Sequence, residues 1–422
     1  MPRTGTEETF GLLWKMPLIL IFLAGGFLQY TGILSQTQSN WLALVLFSHV
    51  FLAHTGWRQL KYEVPLIIFL LFITLDYFRH SSPISYTVTY FYYIVCTIIA
   101  AVAGRVYALR IASSISTELF FNIVKVFLFI QLIAVTVQRV FTEQFISFAR
   151  VPIGYIDAIF GTFFLQSDAS LAAVCELLTI STFLFRCRLR DRFIVSGLSL
   201  SVIFLVNSNA AKAAIILIFA LLLAYSIYRK FNIAGRYGLN IVFSIAVTLF
   251  IPIAYSPLLH FLTDFFAQAT NDYYHRGAWQ TSARFSPMGQ MFAEGIHLFG
   301  RGALTYYNPI TKRWLYNAGF STVYSLYLDF GLIGLLLYCF YQFNLVLKFA
   351  RNYFEFVIFM CVFVLFMTFN FALTDLAFVF TFNMILRLNY LRGRSSSHIS
   401  YKRTLRPLNI KSRGHVVPRT TG

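Results

Sequence analysis

Residues 119–137 read LFFNIVKVFLFIQLIAVTV, an apolar run broken only by Asn122, Lys125, Gln131 and Thr136. A helix crosses the bilayer core with about 20 mostly apolar residues, so this run predicts a transmembrane helix. Eleven further runs have the same character: 17–34, 41–54, 64–78, 85–103, 171–185, 193–207, 213–227, 239–254, 321–342, 355–370 and 375–388, the last two also readable as one broken hairpin. The 422 residues are 58% hydrophobic and 12% charged, with a mean hydropathy of +0.69. A soluble chain carries about 25% charged residues. The expected fold is therefore an all-α polytopic membrane protein with about 12 transmembrane helices (range 10–12).

The net charge of +18 would point to nucleic acid in a soluble chain. Here the positive-inside rule accounts for it, and no nucleic-acid partner is expected. With the N-terminus cytoplasmic, 24 of the 34 Lys and Arg residues fall in inner segments, Arg105 and Arg110 among them. Lys125 lies within a span, near enough to a cytoplasmic end to snorkel. This orientation divides the chain into a membrane bundle of about nine spans (1–254), a large outer loop (255–320) between the ninth and tenth spans, C-terminal spans (321–390) and a basic cytoplasmic tail (391–422) expected to be disordered. No cleavage pattern follows the first apolar run, which reads as a retained span. The five cysteines fall in spans or at their inner ends, with no disulfide framework and no metal-ligand spacing.

The 256–320 stretch is the one long polar, aromatic segment. It contains Arg276, Arg284, Arg301, Lys312 and Arg313, together with Trp279, Trp314 and the tyrosines 273, 274, 306, 307 and 316. Such aromatic density argues against disorder. Arginine forks match phosphate oxygens, and aromatic faces pack on pyranose rings. With Arg150 and Lys212, the outer face therefore suits an anionic headgroup attached to sugars. A helix over 276–286 would put Arg276 and Arg284 on one face, about 12 Å apart, as a pyrophosphate clamp. No Walker loop, GxSxG, HExxH or dinucleotide fingerprint is present, so no cofactor and no metal are expected. Two carboxylates lie inside spans, Glu176 and Asp329. Each is either functional or paired with a cation in a wet crevice.

These residues resemble the superfamily of O-antigen ligases and Wzy-type polysaccharide polymerases. The likeness rests on one large outer loop late in the chain, an Arg-x-x-Trp element (Arg276, Trp279) and a Gly-x-Gly turn (Gly300, Gly302). It also rests on an acidic residue before a GxxG (Asp329, Gly331, Gly334), the turn Asn207-Ser208-Asn209-Ala210-Ala211-Lys212, and the outer segment around Gly161-Thr162-Phe163. The histidine that ligases carry ahead of the GxxG is absent, because Phe320-Ser321 stand there. Lys212 stands where the family commonly has Arg.

The resemblance implies a multi-pass enzyme of the bacterial inner membrane. It would polymerise undecaprenyl-pyrophosphate-linked oligosaccharide units into O antigen, capsule or exopolysaccharide at the periplasmic face, without ATP or metal. The implied partners are the lipid-linked glycan as donor and acceptor, membrane lipids, a flippase and a chain-length regulator. Expected catalytic residues are His275, Arg276, Arg284, Glu294 and Asp329, with His275 taking the acceptor's proton, Glu294 as its alternative and Asp329 orienting the loop. Substrate would be held by Arg150, Lys212, Trp279, Arg301, Tyr306, Tyr307 and Trp314. The competing readings are a ligase of the same superfamily and a polysaccharide or lipid transporter.

Overall fold

The fold comes from a computed structural model that describes residues 14–80, 84–154, 158–164, 168–185, 187–206, 208–228, 297–303, 306–308, 313–315 and 321–404. Residues 209, 210, 306–308, 313–315 and 394–404 are described by their backbone alone. In chain order the helices are α1 (Met16–Tyr30), α2 (Gln36–Ser48), α3 (His54–Gln59), α4 (Val64–His80), α5 (Ile84–Ser114), α6 (Thr117–Val140), α7 (Thr142–Ser147), α8 (Asp168–Leu184), α9 (Leu189–Leu205) and α10 (Asn209–Tyr228). A two-stranded antiparallel ribbon follows, β1 (Tyr306–Asn308) and β2 (Arg313–Leu315), then α11 (Thr322–Phe349), α12 (Tyr353–Phe369) and α13 (Leu376–Thr404).

Within the described residues every apolar run of the sequence is helical, and the run 239–254 lies outside them. Among the described residues four stretches are long and apolar enough to cross a membrane: α5, α6, residues Ala211–Tyr228 of α10, and α11. α12 and α13 are separate helices rather than one broken hairpin.

α6 states the solvent most plainly. Val126, Phe129, Ile133 and Val137 line its outer face, each about half exposed or more, whereas Gln131 and Gln138 are buried. A helix with apolar residues outside and amides inside is built for lipid. The two amides serve the backbone of residues 158–164, a non-helical segment packed inside the bundle. Gln138 accepts from Gly161 N (2.7 Å) and donates to Gly161 O (2.8 Å), and Gln131 accepts from Thr162 N (3.0 Å). Backbone away from water must be satisfied internally, and here side chains do it. The same segment repairs a π-turn in α1 at Leu20–Ala24, where Thr162 Oγ1 and Gln131 Nε2 both donate to Phe22 O.

The centre is the α5–α13 pair. Gly104, with Ala100 and Ala108 one turn to either side, lets the two backbones approach, and a Cβ on Gly104 would come within 2.3 Å of Phe380 O.

Three expectations change at the end of the bundle that the sequence assigns to the cytoplasm. α5 runs to Ser114 instead of ending near 103, which carries Arg105 out of a connection and into the core. There it is fully buried, ion-paired with Glu63 and donating to Asn383 Oδ1 at 2.7 Å. An arginine beside an apolar run reads as a surface charge until a second helix brings a carboxylate to it. Lys125 does not snorkel alone but pairs with Asp191 at 2.9 Å. α13 continues to Thr404, so the first part of the basic tail is helical backbone. Here too Arg351 grips Glu355 (2.6 Å), which also accepts from Asn389 (2.8 Å) and Tyr225 (3.0 Å). All five cysteines are free thiols.

Candidate functional site: a broken helix and the segment that fills it

At the opposite end of the bundle α11 begins on a cap, Ser321 Oγ accepting from Tyr324 N. Thr322 then ties it to the corner after α12, its N and Oγ1 both donating to Asn370 O at 3.0 Å. The helix breaks at Gly331, where φ is 69° and ψ −166°, a conformation open essentially to glycine alone.

In an unbroken helix Leu332 N would bond Leu328 O, and Ile333 N would bond Asp329 O. Both rungs are open, and residues 297–302 fill each half. Arg301 N donates to Leu328 O (3.0 Å) and Gly302 N to Asp329 O (2.9 Å). Leu332 N donates to His297 O (2.9 Å) and Ile333 N to Leu298 O (3.1 Å). His297 N finds the Tyr327 hydroxyl at 3.0 Å.

Two glycines make this approach possible. A Cβ on Gly300 would lie 2.2 Å from Asp329 C and O, and one on Gly331 would lie 2.5 Å from Leu298 O. Gly334 gives Phe330 room to fold back, since a Cβ there would meet Phe330 Cβ at 2.3 Å. Phe330 then packs on Tyr90 (4.7 Å between ring centroids) and Phe69 (5.6 Å), while Phe299 lies under the Arg79 guanidinium at 4.0 Å. The Gly-x-Gly turn and the Asp-x-Gly-x-x-Gly motif are thus one structural unit.

Asp329 is 3% exposed. Its carboxylate accepts a hydrogen bond from the Tyr90 hydroxyl on α5, and its carbonyl holds the inserted segment. Among the described residues the carboxylate is thus engaged by a tyrosine. Tyr90 was not singled out from the sequence. Its signal was the unusual density of tyrosine at 86, 90, 92 and 93 inside an apolar run.

The same end holds a second feature. Glu176, midway along α8, lines a cavity of about 20 Å³ with Ser208 and Asn370. Ser208 caps α10, its Oγ accepting from Ala211 N, so Ser208 and Ala211 of that turn, Glu176 and the α12 corner converge. Lys212 is half-buried in the first turn of α10.

Of the other predicted site residues, Arg301 is exposed beside the helix break. Arg150 is exposed on a different corner, its backbone N donating to Tyr30 O (3.1 Å). Tyr306 and Tyr307 lie on β1 and Trp314 on β2, with Tyr307 directly opposite Trp314 in the ribbon. His275, Arg276, Trp279, Arg284 and Glu294 lie outside the described residues.

Compared with models of known protein families and with curated protein sequences, the chain matches none.

Proposed function

We propose that this chain is a glycosyl-transfer enzyme of the polysaccharide-polymerase type, spanning a bacterial inner membrane about twelve times and acting on undecaprenyl-pyrophosphate-linked glycans. The observation that carries the reading is the insertion of residues 297–302 into the break of α11. It fastens part of the 255–320 loop, residues 297–302, to the bundle through five hydrogen bonds, directly over Asp329. A segment docked in this way holds Arg301 at a fixed place for a pyrophosphate, and in this reading Arg276 and Arg284 of the same loop join it.

In this reading the acceptor hydroxyl oxygen attacks the anomeric carbon of the lipid-linked chain, and the bond from that carbon to the pyrophosphate oxygen breaks. The electron pair leaves with the pyrophosphate, where arginine forks stabilise the growing charge. The hydroxyl proton passes to His275, or to Glu294 in its place. Asp329, covered by the inserted segment and engaged by Tyr90, is a positioning residue. Arg150, Lys212, Trp279, Tyr306, Tyr307 and Trp314 would hold the lipid-linked sugars, and the flippase and chain-length regulator would work alongside.

A broken helix beside a buried carboxylate also favours a second reading, a transporter for a lipid-borne or anionic glycan. The glycan profile of a deletion strain separates the possibilities. Loss of a polymerase leaves single repeat units on the final acceptor. Loss of a ligase, the other activity in the superfamily, leaves long chains on the lipid carrier. Loss of a transporter leaves lipid-linked units on the inner face, which overturns the proposal.

A further inference from the structure

Four buried carboxylates of the bundle face a charged or hydroxyl partner. Glu63 faces Arg105, Glu355 faces Arg351, Asp191 faces Lys125, and Asp329 accepts from Tyr90. Glu176 is 4% exposed, and its Oε1 has no hydrogen-bond partner among the described residues. Among the described residues no cation offsets its burial. An ionised carboxylate left alone in such surroundings costs several kcal/mol.

The space beside Glu176 is deliberate in the sequence. Ala169 and Ala173 lie on the same face of α8, seven and three residues before it, and Ala211 and Ala214 face them from α10. These small side chains leave the cavity of about 20 Å³, enough for one ordered water. Its polar rim is Ser208 and Asn370, at the end of the bundle where α11 also begins. The titratable groups around it are Cys175 on α8, Cys361 on α12, Lys212 next to Ala211 on α10, and Asp375, which accepts from Ser170 one and a half turns away on α8.

We propose that Glu176 is the carboxyl of a proton-binding site inside the bundle, reached by water between Ser208 and Asn370. A hard metal ion calls for six or more oxygen ligands. This cavity offers one carboxylate, one hydroxyl and one amide, which suits a proton and a single water. The site gives the chain a relay group at mid-helix, the role intramembrane carboxylates serve when no cation is built beside them. The inference stands apart from the glycosyl-transfer reading, and its failure would leave that reading untouched.

The test uses the full chain in lipid nanodiscs at neutral pH with dicyclohexylcarbodiimide, which modifies carboxylic acids in their protonated form. The carboxyl oxygen adds to the central carbon of the reagent as the proton passes to one of its nitrogens. Peptide mass spectrometry should find the adduct on Glu176 at about tenfold or more over Glu355 and Glu63, the ratio that one pH unit of difference in protonation produces. Excess sodium chloride should leave the labelling unchanged. Infrared spectroscopy supplies a readout independent of reagent access, since Glu176→Gln should remove one protonated-carboxyl C=O band. Protection of Glu176 by sodium would make this a metal-ion site and overturn the proposal. So would a band region identical in wild type and Glu176→Gln.

Discussion

Replacing Gly331 with alanine should release the inserted segment from α11. Alanine at φ 69°, ψ −166° is strained by about 1–3 kcal/mol before any contact is considered. Its Cβ would also stand 2.5 Å from Leu298 O and Phe299 C, both backbone atoms that no rotamer change can move aside. The segment must withdraw, and four backbone hydrogen bonds go with it, each worth about 1 kcal/mol net. Docking worth about 4 kcal/mol is thereby weakened by about 2–3 kcal/mol, a shift of about 30- to 150-fold in the docking equilibrium. Hydrogen exchange read by mass spectrometry should report that factor in peptides covering the Arg301, Gly302, Leu332 and Ile333 amides. Gly300→Ala should act alike, because its Cβ would lie 2.2 Å from the Asp329 backbone. Gly197→Ala is the control. Nothing lies within 4 Å of that Cβ in α9, so the change should be neutral or stabilising by up to about 1 kcal/mol. Unchanged exchange at Arg301 and Gly302 in folded Gly331→Ala protein would refute the reasoning.

Other perturbations follow from single contacts. Arg105→Met strands the buried Glu63 carboxylate and should cost about 3–5 kcal/mol, read as a lower unfolding temperature in detergent, while Glu63→Gln with Arg105→Met recovers most of it. Gln138→Leu deprives Gly161 of both its backbone partners inside the bundle and should cost about 2–4 kcal/mol by the same assay; an unchanged unfolding temperature would mean that water reaches that segment. Arg276→Lys should abolish polymer at normal protein level, because an ammonium cannot reproduce a bidentate fork, whereas Ala at the tail arginines should be tolerated. Wild-type chain length in Arg276→Lys would remove Arg276 from the site.

The helical framework was legible because lipid imposes one rule, and runs such as 119–137 obey it without reference to the rest of the chain. Gly300, Gly302, Asp329 and Gly331 were legible as motifs, but not as one unit. Their relation is a backbone exchange between segments some thirty residues apart, which no periodicity encodes. Arg105 and Glu63 were misread or missed because burial of a charge depends on what a second helix brings to it. Gln131 looked like a minor interruption of an apolar run, and Gln138 lay just past its end. Their purpose becomes visible only when residues 158–164 are seen threading between α6 and α1. Glu176 was recognised as a carboxylate within a span, either functional or paired with a cation, and among the described residues no ion pair to it is found.

The most direct test of the account is a single reaction. The purified full-length protein is mixed with lipid-linked repeat units in nanodiscs, without nucleotide or divalent cation, and the glycan products are resolved by length. The account predicts a ladder of polymers still attached to the lipid pyrophosphate, lost in Arg276→Lys and shortened or lost in Gly331→Ala. Units that remain single, or that move across a vesicle membrane without being joined, would contradict it.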